Sequence, residues 1–191
     1  MIVAHTCVGW QPDRVTTQPP TRVCNGDIAR QVFEHLNAGD VDAIRALQTT
    51  KTVERFPDGT CHGADAIAAY FAAVHAAMPD WRFEIVRVVE CDDDVFVHWQ
   101  LTGTHSGARL QGIDATGRAI ALDGIDHFVI RDGAVVSNFV VFDQMQFARQ
   151  VGLLPPDRSP ADRALKAAFN ARTRLARLAR RLRRRAVVRP T

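Results

Sequence analysis

The apolar residues of this chain change their spacing near Trp81, and that change limits what the chain can fold into. Before it, Ile28, Val32, Phe33 and Leu36 recur at helical intervals, as do Ile67, Tyr70, Phe71 and Val74. After it, segments 81–90, 95–104, 118–131 and 134–142 are rich in Val, Ile, Phe and Trp, with turn residues between them. That pattern predicts a four-stranded antiparallel meander. Helices first and a sheet afterwards predict an α+β fold, in which a strongly curved antiparallel sheet wraps around N-terminal helices to form a cone. A cone open at one end encloses a pocket, and an apolar pocket with a few convergent polar groups suits a small molecule.

Local signals set the boundaries. Pro12, Pro19, Pro20 and Gly26 interrupt any period, so 1–26 reads as a loosely ordered leader. Asn25 or Asp27 can cap the first helix, which ends at Asn37-Ala38-Gly39, and Asp40 caps a short second one. Residues 51–56 are a strand candidate closed by Pro57-Asp58-Gly59. Gly63 opens a third helix, stopped by Pro79. The expected division is a cone domain over 27–156 followed by a tail over 157–191.

With 191 residues, 47% of them hydrophobic, the chain suits one domain with a sizeable core. The net charge of +3 conceals a strong asymmetry. Residues 158–191 hold twelve Lys and Arg against one acid, Asp162, which leaves an acidic body. Leu165, Phe169, Leu175, Leu178 and Leu182 lie on one helical stripe with arginines around them, predicting a basic amphipathic C-terminal helix. Such a helix suits an anionic membrane surface, nucleic acid held by charge alone, or an acidic partner. The plainer reading is a solvated helix, or a tail resting weakly on the acidic body. No aromatic residues are interleaved for base stacking, so sequence-specific nucleic-acid binding is not expected.

Cys7, Cys24, Cys61 and Cys91 form no C-x-x-C pair and no zinc-like spacing with histidine, so neither a metal centre nor a disulfide framework is expected. The first 21 residues lack the basic start and apolar run of a signal peptide, and no stretch of about 18 apolar residues occurs. These features predict a cytoplasmic protein. There is also no dinucleotide-binding, phosphate-loop or nucleophile-elbow motif.

One series of short motifs remains: Pro79-Asp80-Trp81, Gly103-Thr104-His105-Ser106-Gly107, G-I-D-A-T-G-R over 112–118, Arg131-Asp132-Gly133, Val141-Phe142-Asp143-Gln144 and R-Q-V-G-L-L-P over 149–155. Their order and spacing resemble the SnoaL-like polyketide cyclases, also called ester cyclases, of the nuclear-transport-factor-2-like superfamily. The resemblance covers roughly 27–155 and implies the cone fold. It also implies a homo-oligomer and metal-free, cofactor-independent acid/base chemistry on a polyketide-like carbonyl compound. Asp143 stands in the place of the family's acid/base residue, at the end of the final strand.

Asp143 follows an almost wholly apolar run, where burial would raise its pKa towards neutrality. The alternative is an N-cap on the short helix after it. His127 is the second catalytic candidate. A three-residue loop at Arg131-Asp132-Gly133 would put it on the same face as Asp143, and a two-residue turn would not. For substrate contact the candidates are His105, whose alternative role is loop geometry, and Trp99, Phe139, Tyr70 and Phe33, whose alternative role is core packing. Val129 and Val141 stand where the cyclases often carry polar residues, which predicts a dry pocket. Asp92-Asp93-Asp94 reads as a solvated turn. The expected function is a cyclase or isomerase working by intramolecular aldol closure. The rival is a non-catalytic module that binds a lipid or aromatic metabolite and is localised by its arginine-rich tail.

Overall fold

The computed structural model describes residues 24–187, so the expected leader over 1–26 lies outside the described residues as far as position 23. Helices α1 (Asn25–Ala38) and α2 (Val41–Ala46) lead into the hairpin β1 (Gln48–Phe56) and β2 (Gly59–His62), and then α3 (Ala64–Ala77). Strands β3 (Arg82–Cys91), β4 (Asp94–His105), β5 (Arg118–Arg131) and β6 (Ala134–Phe142) follow, and then α4 (Gln144–Gln150) and α5 (Pro160–Val187). The six strands form one curved open sheet in the order β2-β1-β6-β5-β4-β3. The meander from β3 to β6 is antiparallel throughout, as expected. It is extended by β1, which lies parallel to β6. Strand β2 was not expected; Gly59-Thr60-Cys61-His62 is a weak strand former on its own and is held by its ladder to β1.

The helical periodicity translates directly into packing. Ile28, Ala29, Val32, Phe33 and Leu36 of α1, and Ile67, Ala68 and Phe71 of α3, are buried in the core. Asp40 caps α2 as expected, accepting from the Ala43 amide at 3.0 Å. The N-cap of α1 is Cys24 rather than Asn25 or Asp27. The Asn25 amide is used elsewhere, donating to the carbonyls of Asp92 at 3.1 Å and Ile130 at 3.2 Å, and so ties the start of the helix to the sheet.

Two of the sequence motifs prove to be braces. The Asp80 carboxylate accepts from the Thr104 hydroxyl and amide, both at 2.7 Å, and these bonds hold its pKa below the usual range. Trp81 Nε1 donates to the Leu36 carbonyl at 2.8 Å. At Gly107 a Cβ would stand 2.0 Å from the Ala76 carbonyl oxygen, so only glycine lets the loop run against the end of α3. There the Gly107 and Ala108 amides donate to Ala77 and Ala76 at 3.0 and 2.8 Å.

The β5–β6 hairpin decides which side chains face inward. Asp132 and Gly133 form a two-residue turn with φ of 50° and 81°, and Arg131 pairs with Ala134. The register then shifts: Ile130 pairs with Val135 but Val129 pairs with Ser137, leaving Val136 as a bulge. Beyond the bulge Asp126 pairs with Val140 and His127 with Phe139. Ile120, Leu122, Asp126, Phe128 and Ile130 of β5 are buried on the concave face, whereas Ile125 lies 48% exposed on the other.

Candidate active site

A row of polar side chains crosses four strands on the concave face. Glu54 of β1 pairs directly with Asn138 of β6. Asn138 lies two residues from Val140, the partner of Asp126 on β5, and Gly124, two residues before Asp126, faces Trp99 on β4. The side chains meet accordingly. Asn138 Nδ2 donates to Asp126 Oδ2 at 2.8 Å, Trp99 Nε1 donates to Asp126 Oδ1 at 2.7 Å, and Gln48 Nε2 donates to Glu54 Oε1 at 2.8 Å. Gly124 makes room for the indole, because a Cβ there would stand 2.1 Å from Trp99 Cζ2. Glu54 is 1% exposed and Asp126 7%, which in water-poor surroundings disfavours the charged form of each.

Burial pushes Asp126 up to about 6, against the lowering effect of the Asn138 and Trp99 donors. Glu54 has weaker support. Burial and then the neighbouring Asp126 charge push it up to about 8, against the Gln48 and Asn138 amides. Between those values the pair carries one proton and one negative charge. Glu54 Oε2 and Asn138 Oδ1, on directly paired residues, are both buried without a hydrogen-bond partner, and a proton on Glu54 supplies one missing donor.

Asp126 opens into an apolar cavity of about 80 Å³ between the sheet, α1 and α3. Its walls include Val32, Phe33 and Leu36 of α1, Tyr70, Phe71 and Val74 of α3, Trp99 and Leu101 of β4, and Phe147 of α4. Among the described residues that line it, Asp126 is the only carboxylate. On one side Tyr70 Oη and Gln111 Nε2 donate to the two oxygens of Asp58, at 3.1 and 2.8 Å. Burial, followed by the Asp58 charge, raises the Tyr70 phenol above its usual range. The Tyr70 ring stacks on Phe56 with centroids 4.0 Å apart.

Of the residues expected at the site, Phe33, Tyr70 and Trp99 line this cavity. The others lie elsewhere. His127 sits on the opposite face of the sheet, its Nε2 2.6 Å from Asp94 Oδ1 and its ring stacked on Phe96. The tight turn and the bulge after it turn His127 and Phe139 outward together, and Phe139 is 50% exposed. Asp143 is exposed and caps α4, its Oδ1 accepting from the Met145 and Gln146 amides at 2.8 and 3.0 Å. His105 is fully buried beside Thr116, away from the cavity, and its carbonyl anchors the Thr116 and Gly117 amides. Val141 is 49% exposed on the convex face, so it does not report on the dryness of the pocket.

Asp126, Glu54 and Asn138 were missed. The signal for Asp126 was its place in the even-numbered series Ile120, Leu122, Gly124, Phe128 and Ile130, where it is the one polar member. Among the described residues no three His, Cys, Asp or Glu side chains are grouped to hold a metal. In the Asp92-Asp93-Asp94 turn, Asp93 binds Arg131 at 2.7 Å and Asp94 binds His127.

Residues 29–138 match the family model of the SnoaL-like domain. The chain belongs to this family. No curated protein matches it. Among solved structures, the SnoaL-like chain is similar to AclR from Streptomyces galilaeus, named as a candidate hydroxylase. The two are 20% identical with a TM-score of 0.62, over 81% of this chain and 96% of that one. It is also similar to a candidate SnoaL-like polyketide cyclase from Jannaschia, at 20% identity and a TM-score of 0.63, over 69% of this chain and 93% of that one. A Catenulispora acidiphila protein of ketosteroid-isomerase-like fold is 17% identical with a TM-score of 0.58, over 70% of this chain and 98% of that one. At these identities the likenesses establish the fold: a SnoaL-like, ketosteroid-isomerase-like cone.

Proposed function

We propose that this SnoaL-like protein is a cofactor-independent cyclase or isomerase of a polyketide-like carbonyl compound, with Asp126 as its acid/base. The observation that carries the reading is a carboxylate raised to about 6 at the wall of an apolar cavity, hydrogen-bonded by Trp99 and Asn138. An ionised Asp126 Oδ takes a proton from a carbon flanked by carbonyls, and the electron pair passes into the enolate. The enolate carbon then bonds to a second carbonyl carbon of the same molecule, and the alkoxide oxygen so formed takes the proton back from Asp126. The protons of such substrates are acidic through delocalisation, so one positioned base in a shaped pocket suffices. Family membership and the names of the structural neighbours support this class of reaction.

The proton-transfer half-reaction can be tested without the natural substrate, by NMR of deuterium exchange into the activated methylene of an aromatic β-ketoester in D2O. Asp126→Asn retains the size, turns one of the two acceptors used by Trp99 and Asn138 into a donor, and is expected to lower the exchange rate at least about a hundredfold, the usual scale for losing a general base. His127→Ala and Asp143→Asn, at surface positions, should stay within a few fold. The wild-type rate should rise with pH through about 6 as Asp126 ionises. Full exchange by Asp126→Asn would overturn the assignment. Ligand binding without exchange in any form would favour the binding module.

A further inference from the structure

Beyond its first turn, α5 leaves the domain uncovered. Of the side chains from Arg163 to Arg181, all are exposed except that of Thr173, which is half-buried. Leu165, Phe169, Leu175 and Leu178 are 49%, 65%, 67% and 54% exposed. Among the described residues the helix is fastened only at its root, where Asp162 accepts from Lys166 Nζ at 2.6 Å and the Arg158 amide at 3.1 Å and lies 3.9 Å from Arg149 of α4. At about 100° per residue, the four large apolar side chains and several alanines share about half the circumference. Arg163, Lys166, Arg174, Arg177, Arg180 and Arg181 fall in the other half, while Arg172 and Arg183 stand within the apolar half. In sequence, Pro160–Val187 carries ten Lys and Arg against one acid, Asp162.

We propose that α5 lies in the headgroup layer of an anionic bilayer, with its apolar half towards the acyl chains and its arginines on the lipid phosphates. Charge complementarity and the two-sided pattern together select this occupant. Nucleic acid would use the arginines and leave four large apolar side chains in water. Pairing with α5 of a second copy would bury the apolar half but set two strongly basic helices side by side. An anionic lipid interface takes both halves at once, and the long arginine side chains reach from the helix flank to the phosphates.

The test is co-sedimentation of the full chain with phosphatidylcholine vesicles containing about one-third phosphatidylglycerol, where anionic lipid attracts each basic side chain near the surface. Partitioning should fall at least about tenfold on pure phosphatidylcholine, and again on raising salt to about 0.5 M, which screens the surface charge. Two triple variants separate the two halves of the helix. Phe169→Asp/Leu175→Asp/Leu178→Asp keeps the arginines, and Arg174→Glu/Arg177→Glu/Arg180→Glu keeps the apolar stripe. Each should lose at least about tenfold in partitioning with the domain's melting temperature unchanged, because these side chains do not pack on it. Unaltered vesicle binding by the Asp variant would overturn the proposal in favour of charge alone. Absence of vesicle binding overturns it too. In that case, salt-sensitive binding of duplex DNA that survives the Asp variant identifies nucleic acid, and a dimer seen by sedimentation that the Asp variant abolishes identifies a second copy.

Discussion

A glutamate with 1% of its surface exposed is more stable in place with a proton than without one. Glu54 rises from 4.5 to about 8, through burial and then the Asp126 charge. Its folded value lies above its unfolded one, so the stabilisation is full below about 4.5 and is lost as pH rises to about 8. Asp126, raised from 3.8 to about 6, adds to the decline in the lower part of that window. At about 1.4 kcal/mol per pH unit, the loss attributable to Glu54 is on the order of a few kcal/mol. Glu54→Gln keeps an acceptor for Gln48 without the titration. Its urea midpoint should match wild type near pH 4 and exceed it at pH 9 by an amount equivalent to a few kcal/mol; parallel declines in the two proteins would show that Glu54 is not the group responsible.

Strand β5 shows how closely packing fixes the site. Its Gly124 lies beneath the Trp99 indole, where a Cβ would come within 2.1 Å. Gly124→Ala must displace the ring that donates to Asp126 at 2.7 Å. The expected cost is about 1–3 kcal/mol of stability, with the pH at which deuterium exchange begins moving upward because a donor to the ionised form is lost. An unchanged melting temperature and pH profile would mean that the ring moves freely. The same strand explains what could be read beforehand. Helical stripes in α1 and α3 and the turns between β3 and β6 are local signals, and they were legible. The inner face was not, because β6 carries apolar residues on both sides: Val135 and Val140 inside, Val136, Phe139 and Val141 outside. With alternation erased, only the bulge at Val136 sets the parity, and a bulge leaves little trace in composition. Glu54 was hidden for the opposite reason: in Thr52-Val53-Glu54-Arg55-Phe56 it is the charged residue that faces inward with Phe56.

On the scale of the whole molecule, an acidic body carries a basic helix bound to it at one end. A chain stopped after Pro156 loses twelve Lys and Arg and two acids, Asp157 and Asp162, but none of the cavity-lining residues. It should fold and keep its exchange activity, with a modestly lower melting temperature because Arg149 loses Asp157 and Asp162. Failure to fold would show that α5 packs on the domain or across copies. The charge asymmetry was legible from sequence, whereas the chemistry of the pocket depended on strands far apart in the chain. The parallel pairing of β1 with β6 is such a case: Thr52 Oγ1 donates to the Val135 carbonyl at 2.6 Å across 83 residues of chain, and Glu54 meets Asn138 in the same ladder. Closing so long a loop is entropically expensive and slow compared with forming the hairpins. In the unfolded chain Glu54 is an ordinary ionised side chain at neutral pH, and burial in this ladder raises it to about 8. Folding should therefore take up a proton at neutral pH, read as a rise in pH when the chain refolds in weak buffer.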